Sequence, residues 1–215
     1  MAESETTYQE IRNSKGSLIE LRALKDGKVT GVVEYYDPKT NAIKQRVTFF
    51  ENKRHGATLV YNKDGSVSRK LEFREGKLTG ISEFYRDGNL YATVPFIDGK
   101  LNGIATYYDA GGSKRMEAPF AHGILEGDMV LFSALGHIAK VIPHQAGKKQ
   151  GIAKSYYPSG AILKTEPYLD NLLEGNVTQY YENGKVCAWH FYQRGKMMEG
   201  PRIFNQKSQE LFTKF

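Results

Sequence analysis

A column of regularly spaced glycines sets the period of this chain. Glycine returns at steps of 23 to 25 residues from Gly31 to Gly200, and two further columns share this period. Where those columns lack glycine they carry asparagine, as at Asn41, Asn52 and Asn171. Glycine and asparagine adopt positive φ most readily, so each column marks a left-handed turn position. The first column provides the structural turn residues Gly31, Gly56, Gly80, Gly103, Gly127, Gly151, Gly175 and Gly200.

Two aromatic positions recur between the glycine columns. One lies five residues after the first column, from Tyr36 to Tyr180, and the other runs from Phe49 to Tyr192. Apolar residues two and six positions before the second slot complete a face with a period of two, which is typical of half-buried antiparallel strands. Short glycine-bearing links indicate hairpins between them. The sequence predicts an all-β, single-layer antiparallel β-meander of tandem hairpin repeats, elongated and twisted, with roughly 16 strands.

Proline recurs one residue before the second aromatic slot, at Pro95, Pro119, Pro143 and Pro167. Proline has no N–H to donate to a strand ladder, so we expect each strand to end or bulge there. The repeats occupy residues 26–200, preceded by a degenerate N-terminal cap repeat over 1–25 and followed by a capping hairpin over 201–215. No linker interrupts them, which predicts one continuous array.

The composition fits a thin, wet sheet and gives no sign of a membrane span. Hydrophobic residues make up 40% of the chain and the mean hydropathy is −0.52. Cys187 is the single cysteine, so an internal disulfide is excluded. The start of the chain has no apolar signal region, and we expect a cytoplasmic protein. The net charge of +6 comes from lysine and arginine mixed with acidic residues, which is typical of a solvated surface.

The residues that could carry chemistry are few. No HExxH or G-x-S-x-G motif occurs, and the repeat accounts for the histidines, so we expect no catalytic residue, metal site or cofactor. Glu166 and His190 interrupt an apolar column in consecutive repeats, with His144 in a neighbouring aromatic slot. These three side chains either form a polar site or mark a face that opens to solvent.

The stretch GKLTGISEFYRDGNLYATVPFIDGKLNGIATYYDAGG resembles tandem MORN-type repeats, in the variant form that lacks the usual tryptophan. The resemblance extends from about Asp26 to Gly200. Similar bacterial arrays resemble antitoxin or immunity components that neutralise a partner toxin, and other MORN arrays are linked with membranes and scaffolding. The resemblance supplies no catalytic residues. The fifth repeat, HGILEGDMVLFSALGHIAKVIPHQ, departs from the pattern because it lacks the tyrosine pair.

Paired aromatics suggest where a partner protein would bind. Neighbouring residues of a strand point to opposite faces, so one member of each pair should be partly exposed. Tryptophan is favoured as an interface anchor. The predicted partner-binding residues are Tyr35, Phe84, Tyr107, Tyr157, Tyr181 and Trp189. We therefore predict a non-catalytic protein-binding scaffold whose partner is another protein, in one interpretation a toxin.

Two other functions and one mode of assembly stay open at this stage. The first alternative is peripheral binding to a membrane or to anionic lipid, or a role as an assembly scaffold. The net charge and the family associations favour it, although no polybasic segment or amphipathic helix stands out. Nucleic-acid binding comes third, since basic residues interleave with aromatics only at ordinary density. An open end strand could also pair with a second copy in a homodimer.

Overall fold

The computed structural model describes residues 5–213 and divides into two units. The N-terminal unit runs to Gly103 and includes 110–112, and the C-terminal unit takes 104–109 and the chain from Ser113 onward. Residues 1–4 of the predicted N-terminal cap and 214–215 of the predicted capping hairpin lie outside the described residues. Over 5–213 the structure has 23 strands and no helix. Consecutive strands pair antiparallel as hairpins in each unit, which confirms the predicted all-β meander.

The strands up to the unit boundary are β1 (Thr7–Arg12), β2 (Leu18–Lys25), β3 (Lys28–Val29), β4 (Gly31–Tyr36), β5 (Ile43–Phe50), β6 (Lys53–Tyr61), β7 (Val67–Arg74), β8 (Lys77–Arg86), β9 (Asn89–Ile97) and β10 (Lys100–Leu101). Those that follow are β11 (Gly103–Tyr108), β12 (Lys114–Ala121), β13 (Ile124–Leu125), β14 (Gly127–Phe132), β15 (Ile138–Gln145), β16 (Lys148–Lys149), β17 (Gly151–Tyr156), β18 (Ile162–Leu169), β19 (Leu172–Leu173), β20 (Gly175–Tyr180), β21 (Val186–Gln193), β22 (Lys196–Phe204) and β23 (Glu210–Thr213).

Each unit has two distinct sheet faces, because directly opposed residues of antiparallel strands lie on the same side. One face, which we call the small-residue face, carries a column of buried residues two positions after Gly31, Gly56, Gly80, Gly103, Gly151 and Gly175. Val33 and Thr58 on this face are 0% exposed in the N-terminal unit, and Ala153 is 0% exposed in the C-terminal unit. The other face carries the recurrent prolines, and we call it the proline face. With a core this thin, the polar and aromatic rows flanking the small residues must provide much of the packing.

The first-column glycines lie in strands rather than in the hairpin loops where we expected turns. Gly31 opens β4 and Gly151 opens β17, while Gly80 lies inside β8. All have positive φ, from +65° at Gly80 to +115° at Gly103. A Cβ built on Gly151 would lie 3.3 Å from the Cγ of Pro143 on the preceding strand. Glycine is therefore required both for its backbone conformation and for the close approach of two strands.

The strand that follows each proline is interrupted while the proline's own strand continues, contrary to our expectation. The same interruption between β3 and β4 lies opposite Ala23, so proline is not required for it. Pro143 lies within β15 (Ile138–Gln145), and the next strand is split into β16 and β17 around Gln150. The Gln150 N–H donates to the Pro143 carbonyl over 3.0 Å. The proline keeps its acceptor, so its own strand continues, while the opposing chain bulges to bring one N–H to it. The same contact is made by Asn102, Glu126 and Glu174 with their prolines.

Successive repeats are joined along the edge formed by the third glycine column. The Gly76 N–H donates to the Arg54 carbonyl over 2.8 Å, and the Gly195 N–H donates to the Leu173 carbonyl over 2.9 Å. Each repeat thus satisfies a backbone group of the repeat before it, as expected for a one-dimensional array. The described residues contain no helix long and apolar enough to cross a bilayer.

Candidate binding surface

The central row of the proline face is charged in the N-terminal unit. Cross-strand pairing places Glu34, Arg46, Leu59, Lys70 and Glu83 side by side on five consecutive long strands. Arg46 Nε lies 2.8 Å from Glu34 Oε1, and Lys70 Nζ lies 3.2 Å from Glu83 Oε2. Opposite charges placed directly across strands attract one another, so this row satisfies its own polar groups.

Two tyrosine hydroxyls donate hydrogen bonds to the glutamates of this row in the N-terminal unit. The Tyr36 hydroxyl donates to Glu34 over 2.5 Å, and the Tyr85 hydroxyl donates to Glu83. The hydrogen bond from Tyr36, together with Arg46, outweighs burial and lowers the pKa of Glu34. The same hydrogen bond and burial raise the pKa of Tyr36 to about 12. This surface is therefore a network of internal contacts, with few unpaired groups for a partner.

The corresponding row of the C-terminal unit is charged at its two ends, at Glu117 on β12 and Arg202 on β22, and largely uncharged between them. Between these ends the cross-strand order is Val130, Val141, Lys154, Thr165, Thr178 and Trp189. Apart from Lys154, no charged side chain occupies this row from β14 to β21. Between β14 and β21 this row therefore carries fewer charges than the row of the N-terminal unit.

The row beside it has one large exposed apolar side chain, Ile152, between the polar residues Asp128 and Asn176 of the neighbouring repeats. Ile152 is 54% exposed and lies opposite Pro167, while Asp128 lies opposite Pro143. Leu163, on the other flank, is 37% exposed. Single exposed apolar residues are ordinary, but a contiguous apolar patch indicates an interaction site. We refer to the proline face of β14–β21 as the apolar face.

Trp189 lies at the end of this apolar face. It is half-buried, opposite Thr178 on one side and Arg202 on the other. The Arg202 guanidinium carbon lies 5.1 Å from the centre of the Trp189 ring, and Arg202 also forms an ion pair with Glu199 at 2.9 Å. Stacking of this kind fixes the indole with one surface available, which suits an anchor residue.

The structure does not bring the six predicted partner-binding residues together on one surface. Tyr35, Phe84 and Tyr107 each lie four residues after a first-column glycine and share the small-residue face. Both members of every aromatic pair are half-buried, so the expected division into one packed and one exposed ring is not seen. Burial, with a smaller contribution from Glu20, raises the pKa of Tyr35.

Tyr157 and Tyr181 occupy a different position, six residues after the glycine. The Tyr157 hydroxyl donates to the Tyr180 carbonyl, and the Tyr181 hydroxyl donates to the Phe204 carbonyl, each over 2.8 Å. Their polar groups hold one repeat to the next, so these two residues contribute to the array itself. Of the six, Trp189 alone lies on the apolar face. The neighbours that form this face, Ile152 and Val141, belonged to columns that the sequence analysis did not assign to a surface.

The partners of Glu166 are two lysines and not the histidines His190 and His144 that the sequence suggested. Glu166 is 8% exposed and is bound by Lys140 Nζ at 2.5 Å and Lys164 Nζ at 3.0 Å. Burial raises the pKa of Glu166, but the two lysine contacts outweigh it and the net shift is downward. His144 is buried, with Nδ1 2.9 Å from the Ile142 carbonyl oxygen.

Lys140 and Lys164 were missed because they lie in the row next to the apolar column rather than in it. Cross-strand pairing places both on the small-residue face, on either side of Ser155. Their identical offset from the column in consecutive repeats was the signal that could have identified them. Among residues 5–213, no group of three histidine, cysteine or acidic side chains is placed to hold a metal ion.

Comparison with known families decides the nature of the repeat in part of the chain. The family model described as the MORN repeat variant matches residues 149–170 and 173–188. This segment is similar to the MORN repeat variant. MORN repeats generally act as protein-binding or membrane-binding modules. The matched residues include β17, β18 and β20 and the first three residues of β21, and end just before Trp189.

Comparisons with whole proteins add no further family. No curated protein matches the sequence. A crystal structure of a TarM mutant from S. aureus, in complex with fondaparinux, α-GlcNAc-glycerol and UDP, is 15% identical, with a TM-score of 0.20. The match covers 84% of this chain and 21% of that one. A crystal structure of TcdB2-TccC3-Cdc42 is 10% identical, with a TM-score of 0.16, and covers 96% of this chain and 15% of that one. At these TM-scores neither match bears on function.

Proposed function

We propose that this chain is a non-catalytic, cytoplasmic binding scaffold that neutralises a toxin by holding it against the apolar face of the C-terminal unit. The observation that carries the proposal is a sheet face whose central row, from β14 to β21, has one charged residue, Lys154, with Ile152 beside it at 54% exposure and a stacked tryptophan at one end. Interfaces have an apolar centre in which aromatic anchors dominate the energy.

The repeat architecture supports this role. Each MORN-variant hairpin contributes the same backbone positions, so neighbouring repeats build a continuous surface from a few side chains per strand. The proposal that the partner is a toxin rests on the resemblance of such arrays to antitoxin and immunity components. The choice of face rests on the difference between the two units, because the N-terminal proline face already pairs its charges internally.

The test compares two isoleucines at the same position of the repeat. Ile152 lies opposite Pro167 in the C-terminal unit, and Ile81 lies opposite Pro95 in the N-terminal unit. Both are well exposed, at 54% and 64%, so an aspartate at either site should leave the fold intact. Tagged wild-type, Ile152→Asp and Ile81→Asp proteins are used to capture partners from the native host at physiological salt after nuclease treatment.

We expect one stoichiometric protein with the wild type and with Ile81→Asp, and its loss with Ile152→Asp. That protein should arrest growth when expressed alone, and co-expression of this chain should restore growth unless Ile152 is replaced. Equal capture by both variants would show that the apolar face is not the interface. A captured protein that is harmless alone would retain the scaffold and remove the toxin.

A further inference from the structure

One stretch of the C-terminal unit is rich in lysine and has no acidic residue of its own. Between Asp128 and Glu166 the chain has no aspartate or glutamate. It has five lysines over the same interval, at positions Lys140, Lys148, Lys149, Lys154 and Lys164. The register places Lys140, Lys149 and Lys164 on the small-residue face, the side opposite the apolar face. We call these three residues, together with Glu166, the lysine cluster.

The geometry of the lysine cluster leaves it with unused donors. Glu166 uses one oxygen on Lys140 and the other on Lys164, and its side chain is 10% exposed. The two lysine side chains are 27% and 31% exposed. Each ammonium has three N–H donors, of which Glu166 takes one. Lys149 Nζ lies 5.0 Å from the centre of the Tyr168 ring, so its position is also fixed.

The charge balance indicates the ligand. Lys140 and Lys164 share one carboxylate, and Lys149 lies against the Tyr168 ring, so the lysine cluster keeps an excess of positive charge. Glu166 occupies one donor of each ammonium group, so an incoming carboxylate competes with it for Lys140 and Lys164. We propose that the lysine cluster binds carboxylate side chains of an acidic peptide segment. This proposal concerns the face opposite Ile152 and does not depend on the proposed function.

A peptide fits the site better than a membrane or a nucleic acid. The lysine side chains are about two-thirds buried, so a ligand must reach between the flanking rows, which an aspartate or glutamate side chain can do. A flat bilayer approaches exposed, clustered basic residues. Single-stranded nucleic acid needs free aromatic faces for stacking. Here the Tyr168 ring is half-buried and covered by Lys149.

The test uses a fluorescein-labelled deca-glutamate peptide, with deca-glutamine as the uncharged reference, and measures anisotropy at physiological salt. Replacing the lysines alone would leave Glu166 buried without a partner, so the disabled variant is Lys140→Gln/Lys164→Gln/Glu166→Gln. We expect its affinity for deca-glutamate to fall about tenfold, since two charge-assisted contacts are lost. Lys149→Gln, which does not touch Glu166, should weaken binding about threefold.

Two further variants make the expectation specific. Glu166→Gln removes the competing carboxylate and should tighten binding about threefold. If Glu166 and its two lysines only stabilise the fold, no gain in affinity is expected. Lys148→Gln lies in the same hairpin, in an exposed ion pair with Asp170 at 2.8 Å, and should bind as the wild type does. Thermal unfolding of each variant verifies the fold.

Three results would overturn the proposal. One is unchanged affinity in the triple variant. Another is weaker binding by a folded Glu166→Gln protein. The third is preference for phosphatidylserine vesicles or a single-stranded oligonucleotide over deca-glutamate at matched charge.

Discussion

The two units use one backbone pattern to present opposite surfaces. On the proline face, the N-terminal unit sets Glu34 against Arg46 and Lys70 against Glu83, while the C-terminal unit sets Val130 against Val141. On the small-residue face, the C-terminal unit places Glu166 in a column that holds Val47 in the N-terminal unit. Glycine, turn and aromatic positions specify the repeat, so the remaining strand positions are free to differ.

The difference between the two central rows indicates which strand positions stabilise the sheet and which are free to contact a partner. In a single-layer sheet each strand residue lies on one of two outer faces. Neighbouring side chains fully bury only the small residues at the centre of one face. A charged row that pairs within itself needs no second layer, but an apolar row leaves surface that water disfavours. The charged row of the N-terminal unit is therefore satisfied within its own sheet, whereas under the proposed function the less charged row of the C-terminal unit is covered by a partner.

The largest expected effect concerns the glycine that permits close approach at a proline. Gly151 has φ +105°, outside the left-handed well, and an added Cβ would meet Pro143 Cγ at 3.3 Å. Gly80 has φ +65°, which other residues tolerate, and its nearest contact would be Glu72 Cβ at 3.6 Å. We expect Gly151→Ala to cost about 2–3 kcal/mol and Gly80→Ala about 1 kcal/mol in urea unfolding.

A double variant separates the two causes at Gly151. Adding Pro143→Ala removes the contact but leaves the backbone angle, so it should recover only part of the loss. Equal costs for Gly151→Ala and Gly80→Ala would mean that the proline repeats impose no extra demand, and the two units would not differ in this respect.

The next effect compares the acidic residues of the two units. Glu166→Ala leaves two partly buried ammonium groups without their acceptor, and we expect a loss of about 1–3 kcal/mol. Glu34→Ala breaks an ion pair whose Arg46 side chain is 46% exposed and also removes the acceptor of the Tyr36 hydroxyl, so the loss should be about 1 kcal/mol, at the lower end of the range for Glu166→Ala. Chemical denaturation of both variants measures the difference.

The same comparison predicts a pH dependence. The pKa of Glu166 is lowered in the folded protein, so its contribution is present above the ordinary value of 4.5 and disappears as the pH falls through the folded value. The wild type should thus lose stability on acidification more steeply than Glu166→Gln. If the unfolding free energies of the two proteins change with pH in parallel, the contacts of Glu166 with Lys140 and Lys164 do not stabilise the fold.

The sequence predicts the array well because its signals are local. Positive φ at Gly31 or Asn52 and alternation around Phe49 follow from steric and periodic rules within one repeat. The strand count differs, at 23 within residues 5–213 against roughly 16 expected, partly because bulges opposite Pro95 and its equivalents divide strands.

The candidate surfaces are harder to predict because they depend on register between strands. Tyr157 and Tyr107 belong to similar pairs in the sequence, yet they lie at different offsets from their glycines and only Tyr157 bonds to the next repeat. Lys140 and Glu166 are 26 residues apart, and their contact appears only once the pairing of β15, β17 and β18 is known. A one-residue error in register would move each side chain to the other face.

The smallest effect is a spectroscopic signature of the charged row in the N-terminal unit. The hydrogen bond to Glu34, reinforced by burial, raises the pKa of Tyr36 to about 12, so the folded state favours the neutral phenol. This contribution to stability is present below pH 10 and is lost as the pH rises towards 12. Glu34→Gln replaces the carboxylate with a neutral acceptor, and one of the 14 tyrosines should then ionise nearer to pH 10 in an ultraviolet titration.

A matched control for this titration is Glu51→Gln, which removes an exposed ion pair with Lys28 at 3.2 Å and touches no tyrosine hydroxyl. Its absorbance profile should superimpose on that of the wild type. An unchanged profile for Glu34→Gln as well would mean that the Tyr36 hydroxyl is free in solution. The N-terminal proline face would then have an unpaired acceptor at Glu34, and its contrast with the apolar face of the C-terminal unit would be correspondingly weaker.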